Sequence, residues 1–182
     1  MKFTTQSIPD VLLIELIVHR DERGYVVETF RQDMLDQILG YKVNFIQDNE
    51  SKSIVRGILR GLHYQSPPYT QSKLVRVIKG KVLDVSVDIR INSPTFGKHV
   101  SVELSEDNNK QIFLPRGFAH GFIVLSEGAI FAYKVDEYFS AEHNEGIAYN
   151  DKDIAIDWGL SETDIKLSIQ DQNNPKLVNI KK

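Results

Sequence analysis

The sequence predicts an all-β domain, a β-sandwich or small barrel with a few short helices, and three observations predict it. From Val43 to Tyr138 the apolar residues recur mostly at every second position, which is the period of a half-buried strand. Clusters of Gly, Pro, Asn and Ser cut that stretch into short runs at even spacing, as a sandwich or barrel requires. Helical periodicity is confined to one clear segment ahead of it. At 182 residues and 41% apolar content, residues 1–182 fit a single domain able to bury a core.

The helix is Arg31 to Leu39 (RQDMLDQIL), with Met34, Leu35, Ile38 and Leu39 at helical spacing and Gly40 as its stop. KLVRVIKGKVLDVSVDIR reads as two strands joined through Lys79-Gly80. HVSVELSEDNNKQIFLP repeats the pattern with SEDNN as its turn, and GFIVLSEGAIFAYKV does so around Ser126-Glu127-Gly128. The segment from Asp151 onward carries Trp158 and then polar, weakly helical sequence. No internal repeat or low-complexity linker interrupts the chain.

Composition narrows the function. A net charge of -3 and a pI near 6.0 give no basic field for nucleic acid. The absence of cysteine removes disulfides, cysteine nucleophiles and the commonest structural zinc sites. The N-terminus lacks a basic region followed by an unbroken apolar run. The longest apolar stretch, Val11 to Val18, is cut by Glu15 and falls far short of the roughly 20 residues of a spanning helix. The expectation is a soluble cytoplasmic protein with no membrane or nucleic-acid partner.

Three polar residues stand inside apolar strand-like runs: His63 in RGLHYQ, Lys73 in QSKLVRV and Tyr133 in AIFAYKV. A base, a cation and a phenol aimed into one pocket suit proton abstraction beside a carbonyl, with the cation holding the enolate oxygen. Each also has a plain reading, as a satisfied strand histidine, an edge lysine and a core tyrosine. In LRGLHYQ, regular alternation puts Arg60 and His63 on opposite faces. If both serve one pocket a bulge is needed, and Gly61 can supply it. Asp84, Ser86 and Asp88 share one strand face, and alternation alone leaves open whether that face meets solvent or the interior.

LPRGFAHGF, from Leu114 to Phe122, makes a tight turn at Pro115-x-Gly117 and then presents His120. It resembles the second motif of cupin barrels. Metal-dependent cupins carry a pair of first-motif histidines one residue apart, whereas this chain reads His63-Tyr64-Gln65. A tight metal site wants three or four ligands, so the expectation is no metal and no cofactor.

Along nearly its whole length the chain resembles the RmlC family, the dTDP-4-dehydrorhamnose 3,5-epimerases. The matching motifs are DERGYVVETF, FIQDNES, LRGLHYQ, QSKLVRVIKGKVLDVSVDIR, LPRGFAHGF, YKVDEYF and NDKDIAIDW, in the family's order and spacing. The resemblance implies a cupin-type jelly roll, working as a metal-free homodimer on a dTDP-4-keto-6-deoxy sugar in dTDP-L-rhamnose synthesis. It implies His63 as the base, Tyr133 as the acid and Lys73 as the group that stabilises the enolate oxygen. An aspartate behind His63 would orient it, with Asp171 preferred on its distance from Trp158 and Asp164 the alternative. Arg60 and His120 would lie near the sugar and phosphates, with Gln47 and Asn49 as further contacts. Phe139 would stack on thymine, with Tyr138 the other candidate. Arg23 and Glu28 would reach the partner subunit's site from residues 1–45, and residues 151–182 would close the site.

Three departures bear on the nucleotide. Val26 stands where the family often has an aromatic, His19-Arg20 where it often has Phe-Gly, and Gln170 where it usually has lysine. The rival readings are an epimerase of one centre acting on a related sugar nucleotide, a metal-dependent cupin, and a carbohydrate-binding cupin without catalysis.

Overall fold

The computed structural model describes residues 1–180. In chain order its strands are β1 (Lys2–Thr5), β2 (Leu12–Glu15), β3 (Val18–Asp21), β4 (Gly24–Val27), β5 (Gln47–Ser53), β6 (Leu59–Gln65), β7 (Lys73–Lys79), β8 (Lys81–Asp88), β9 (His99–Ser105), β10 (Lys110–Leu114), β11 (Phe118–Val124), β12 (Ala129–Val135) and β13 (Asn144–Gly146). Helix α1 is Gln32–Leu39 and the short α2 is Ile169–Gln172. Two antiparallel sheets face each other. One is six-stranded, in the order β1-β2-β10-β7-β12-β5, and the other five-stranded, in the order β13-β6-β11-β8-β9. The chain crosses between sheets at the β7–β8, β9–β10 and β11–β12 turns, which are the turns expected at Lys79-Gly80, SEDNN and Ser126-Glu127-Gly128. This is the all-β jelly-roll sandwich of the cupin type. Strands β3 and β4 form a separate two-stranded ribbon.

Alternation sorts each strand's side chains. Val75, Val77, Val82, Phe122 and Phe131 meet between the sheets in the central core. Leu59, Leu62, Val85 and Val87 face the other way and are covered by Ile147, Ile154, Trp158 and Leu177 of the C-terminal segment. Leu12, Leu74 and Phe113 on the back of the six-stranded sheet pack with Leu35 of α1 and with Val43. Helix α1 ends at Gly40, whose left-handed φ of 75 lets its N–H bond the Asp36 carbonyl.

The face of β8 that carries Asp84, Ser86 and Asp88 is interior, and all three are fully buried. A buried carboxylate must be paired, and Asp88 is paired heavily. It accepts from the Arg90 guanidinium and backbone N–H, from Ser93 Oγ and from Thr95 Oγ1 at 2.6–2.9 Å. The same guanidinium donates to Asp10, tying β8 to the turn before β2. Burial pushes the Asp88 carboxyl up, but these donors outweigh it and hold it down at about 2.

Asp88→Ala leaves Arg90 with Asp10 as its remaining carboxylate and strips Ser93 and Thr95 of their acceptor, and the loss expected in urea unfolding is about 1–3 kcal/mol. Because the folded carboxyl titrates below its ordinary value, its contribution is complete above pH ~4 and disappears as pH falls toward ~2. Equal stability of the Ala and native proteins at pH 7 would show that the network contributes nothing.

Candidate active site

A cavity of about 630 Å³ opens between the sheets, lined by His63, Lys73, His120, Tyr133, Arg60, Phe139 and Asp171 among others. His63 stands on β6 and His120 on β11, both in the five-stranded sheet, where they are direct cross-strand partners. Lys73 stands on β7 and Tyr133 on β12, both in the six-stranded sheet. The imidazoles and the phenol therefore enter the cavity from opposite walls.

The register explains how Arg60 and His63 serve one space. His63 faces His120 and Arg60 faces Phe122, so β6 spends one more residue than β11 over the same length. The extra residue is the bulge expected at Gly61. There the two backbones nearly touch. A Cβ on Gly61 would lie 2.6 Å from Gly121 Cα and 2.7 Å from the His120 carbonyl oxygen, and the Gly61 φ of +121 suits glycine alone.

His63 Nε2 lies 2.6 Å from Asp171 Oδ1. Asp171, on α2, is buried, accepts from Ser168 Oγ on Oδ2 at 2.9 Å, and donates its N–H back to Ser168 Oγ. Burial raises the Asp171 carboxyl, yet the His63 ring, Ser168 and the Gly61 N–H outweigh it and hold it below the usual carboxylate range. An ionised Asp171 takes the Nε2 proton as its hydrogen-bond donor, which leaves Nδ1 as the free base of the ring. Asp164, the other candidate, is exposed and accepts from its own Ser161.

Burial brings the Lys73 ammonium down to about 8, with Asp84 pulling the other way. Burial raises the Tyr133 phenol, against the nearby Arg60, so it stays protonated at neutral pH. The Arg60 Nε donates to Ser53 Oγ at 3.2 Å, which holds the guanidinium beside β5. The His120 Nε2 lies 2.8 Å from the fully buried Asp84 Oδ2.

Other expected residues fall elsewhere. Gln47 and Asn49 bond each other at 2.7 Å, Gln47 accepts from the Phe139 N–H, and Asn49 lines a smaller neighbouring depression together with Tyr133. Phe139 and Tyr138 are both exposed, and Phe139 lines the main cavity whereas Tyr138 lies outside its lining. Arg23 lies in the turn of the β3–β4 ribbon, paired with Asp21, and neither it nor Glu28 lines this chain's cavity. Gln65, where metal-dependent cupins place a second histidine, donates to the Tyr69 and Tyr138 carbonyls and accepts from the Ser140 N–H. It fastens a loop, and among the described residues no group of three or more His, Asp or Glu side chains could hold a metal ion.

Sequence reasoning missed Ser51, Asn144 and Lys166 in the cavity lining. The inward alternation of Gln47, Asn49 and Ser51 was a usable signal for the first. Lys166 lies on the irregular tail, where no period points.

Fold and site together define a jelly-roll isomerase built for proton transfer at carbon. A family model described as dTDP-4-dehydrorhamnose 3,5-epimerase matches residues 5–179. The dTDP-4-dehydrorhamnose 3,5-epimerase of Shigella flexneri is 49% identical over 178 residues, covering 98% of this chain and 97% of its own. The crystal structure of RmlC from Legionella pneumophila Philadelphia 1, in complex with dTDP-4-keto-L-rhamnose, superposes with a TM-score of 0.95 at 46% identity, covering 99% and 94% of the two chains. ChmJ of Streptomyces bikiniensis, a 3'-monoepimerase in complex with dTDP-quinovose, gives 0.87 at 33% identity, covering 96% and 87%. The chain belongs to the dTDP-4-dehydrorhamnose 3,5-epimerase family and is an isomerase of that type.

Gly61→Ala should force β6 and β11 apart at the point that sets the register of both histidines. The strained φ alone accounts for about 1–3 kcal/mol of lost stability, and turnover should fall with it. Native stability and turnover in that variant would mean that the bulge tolerates a side chain and does not set the site.

Proposed function

We propose that this cavity inverts C3 and C5 of dTDP-4-dehydro-6-deoxy-D-glucose to give dTDP-4-dehydro-L-rhamnose, in the making of dTDP-L-rhamnose. The observation that carries this reading is the entry of a carboxylate-backed imidazole and a protonated phenol from opposite sheets. Inversion needs a proton removed from one face of a carbon and returned to the other. Both C3 and C5 lie next to the C4 ketone, so one site can serve both centres.

In each half of the reaction His63 Nδ1 takes the carbon-bound proton, the C–H electron pair becomes the new C=C bond, and the π pair of the C4 carbonyl moves onto its oxygen. The Lys73 ammonium stabilises that enolate oxygen. Asp171 stabilises the imidazolium and holds its tautomer. Tyr133 then gives its hydroxyl proton to the opposite face, and before the second centre reacts the His63 imidazolium releases its proton to solvent while the Tyr133 phenolate recovers one. Arg60 suits the diphosphate, because a guanidinium donates two hydrogen bonds to phosphate oxygens. His120 adds a polar contact and Phe139 suits stacking on thymine, both lining the cavity, whereas Asn49 would reach the ligand from the neighbouring depression beside Tyr133. A cytoplasmic place of action fits a nucleotide-sugar substrate, and no helix among the described residues is long and apolar enough to cross a membrane.

An epimerase of one centre is the second reading, favoured by the likeness to the 3'-monoepimerase ChmJ. Deuterium oxide separates the two. Label at C3 and C5 together with the rhamno product marks the double epimerase, and label at one carbon marks the single one. In the same assay His63→Ala should lower turnover by at least ~100-fold, the scale of a lost general base. Tyr133→Phe should still exchange a substrate hydrogen while net inversion fails. Full inversion by either variant would remove that residue from its role.

The working unit in this reading is a homodimer. The ribbon of β3 and β4 leaves Ile17, Tyr25 and Val26 exposed, and Arg23 stands at its turn away from its own cavity. Such a ribbon suits delivery of Arg23 and Glu28 to the partner's nucleotide site, with residues 151–182 closing the same site from within the chain. Mixing Arg23→Ala with His63→Ala protein should then restore about a quarter of the native sites, since each mixed dimer of a two-fold pair holds one intact site. No recovery, with subunit exchange verified, would place Arg23 in its own chain's site or in none.

A further inference from the structure

Two runs of the chain that lie far apart in sequence are laddered together at the edge of the cavity. Ile58, just ahead of β6, and Lys166 of the tail form a parallel bridge. The Lys166 N–H donates to the Gly57 carbonyl at 2.8 Å, and the Leu59 N–H donates to the Lys166 carbonyl at 3.0 Å. Paired residues of a ladder point to one face, and alternate residues of a strand share a face. Lys166 therefore lies on the face of Ile58, which packs on the core between the sheets, and Arg60, two residues on, shares that face. Its neighbours Ile165 and Leu167 pack the other way, into the cluster under the tail. One strand across and two residues along sets the Lys166 and Arg60 Cα atoms roughly 8 Å apart. Both side chains line the cavity.

We propose that Lys166 is a binding residue for the diphosphate of the substrate, closing on it together with Arg60. This rests on the reading of the cavity as a sugar-nucleotide site. A diphosphate diester carries two negative charges at neutral pH, and Arg60 alone answers one. Among the described residues, the Lys and Arg side chains lining the cavity are Arg60, Lys73 and Lys166. Lys73 enters from the six-stranded sheet and serves the enolate oxygen in that reading. Asp171, the carboxylate of the lining, is held by His63 and Ser168. The acceptors that Arg60 and Lys166 do have are neutral: Ser53 Oγ and the Lys52 carbonyl for the guanidinium, and the Arg56 carbonyl at 3.0 Å for the ammonium. An ammonium has three donors, so a bond to Arg56 leaves two for phosphate oxygens. If Lys166 only capped that carbonyl, its removal would cost stability and leave the affinity for phosphate where it was.

The test separates charge from shape. Lys166→Gln keeps the backbone ladder and removes the ammonium, whereas Lys166→Arg keeps a cation. Titration of dTDP into the substrate-free Gln variant should give a Kd raised about 5-fold or more over the native chain. KM should rise by a like factor while kcat changes by less than about 2-fold, the pattern of lost uniform binding. The Arg variant should bind dTDP as the native chain does. Salt screens an exposed ammonium, so the gap between native and Gln proteins should narrow as salt rises from about 0.05 to 0.5 M. A native Kd in the Gln variant overturns the proposal, and so does an equal loss in the Arg variant, which would mark shape and not charge. No binding of dTDP by the native chain would remove the sugar-nucleotide reading and this role of Lys166 with it. Binding that depends on Lys166 without any turnover would keep the role and sink the epimerase reading.

Discussion

The close approach of β6 and β11 at Gly61 and Gly121 is the contact on which the site depends. Two backbones can come this near only where neither carries a Cβ, since a side chain on either glycine would meet the other strand's main chain below 3.0 Å. The bulge this contact accommodates turns Arg60 onto the His63 side and sets His63 across from His120. Without it the alternation of β6 would send the guanidinium to the covered outer face, among Leu59 and Leu62. The backbone geometry precedes the chemistry: the strand register decides which polar groups share a cavity, and only then do their charges matter.

A second dependence runs through the tail. Asp171 lies 108 residues from His63, on a four-residue helix too short to hold itself in water. Its position comes from the apolar anchors on either side, Trp158 and Leu177, packed on the back of the five-stranded sheet. The buried Asp151 accepts from the Leu177 N–H, and Lys166 pairs with β6 through the Gly57 and Leu59 backbone. The tail is therefore part of the sandwich, and the hydrophobic burial that fixes it also holds Asp171 against the His63 imidazole. Loosening those anchors would act on His63 from a distance, by letting Asp171 drift from Nε2.

Much of this was legible in the sequence where a local rule decides it. The strands, their turns and α1 follow from periodicity and from Gly40, Gly80 and Gly117, each in a left-handed conformation. The bulge was legible because Arg60 and His63 violated alternation in the same short run. The face of Asp84, Ser86 and Asp88 was not legible, since a polar strand face reads alike whether it meets water or lines the gap between sheets. The two Ser-x-x-Asp runs of the tail were equally ambiguous. Both form the same local serine–aspartate bond, and only long-range packing directs Asp171 to His63 and leaves Asp164 at the surface. Residues on irregular backbone, such as Lys166, carry no period at all.

That last residue bears on the departure at position 170. Gln170 lines the cavity and stands where the family usually has lysine, so the cavity carries one cation fewer there. Lys166 lines the same cavity from the same tail, its Nζ donating to the Arg56 carbonyl at 3.0 Å. Arg60 lines it as well, held at its rim by Ser53. Among the described residues neither cation pairs with a carboxylate, so both can serve an anion. The inner carboxylates, by contrast, are each committed to an imidazole. Arg60 and Lys166 are exposed, whereas His120, Asp84 and Asp171 are buried, so an anion approaching from solvent would meet these two cations before the His–Asp pairs. On that arrangement a glutamine at position 170 lowers the exposed positive charge and leaves the buried His–Asp pairs as they are.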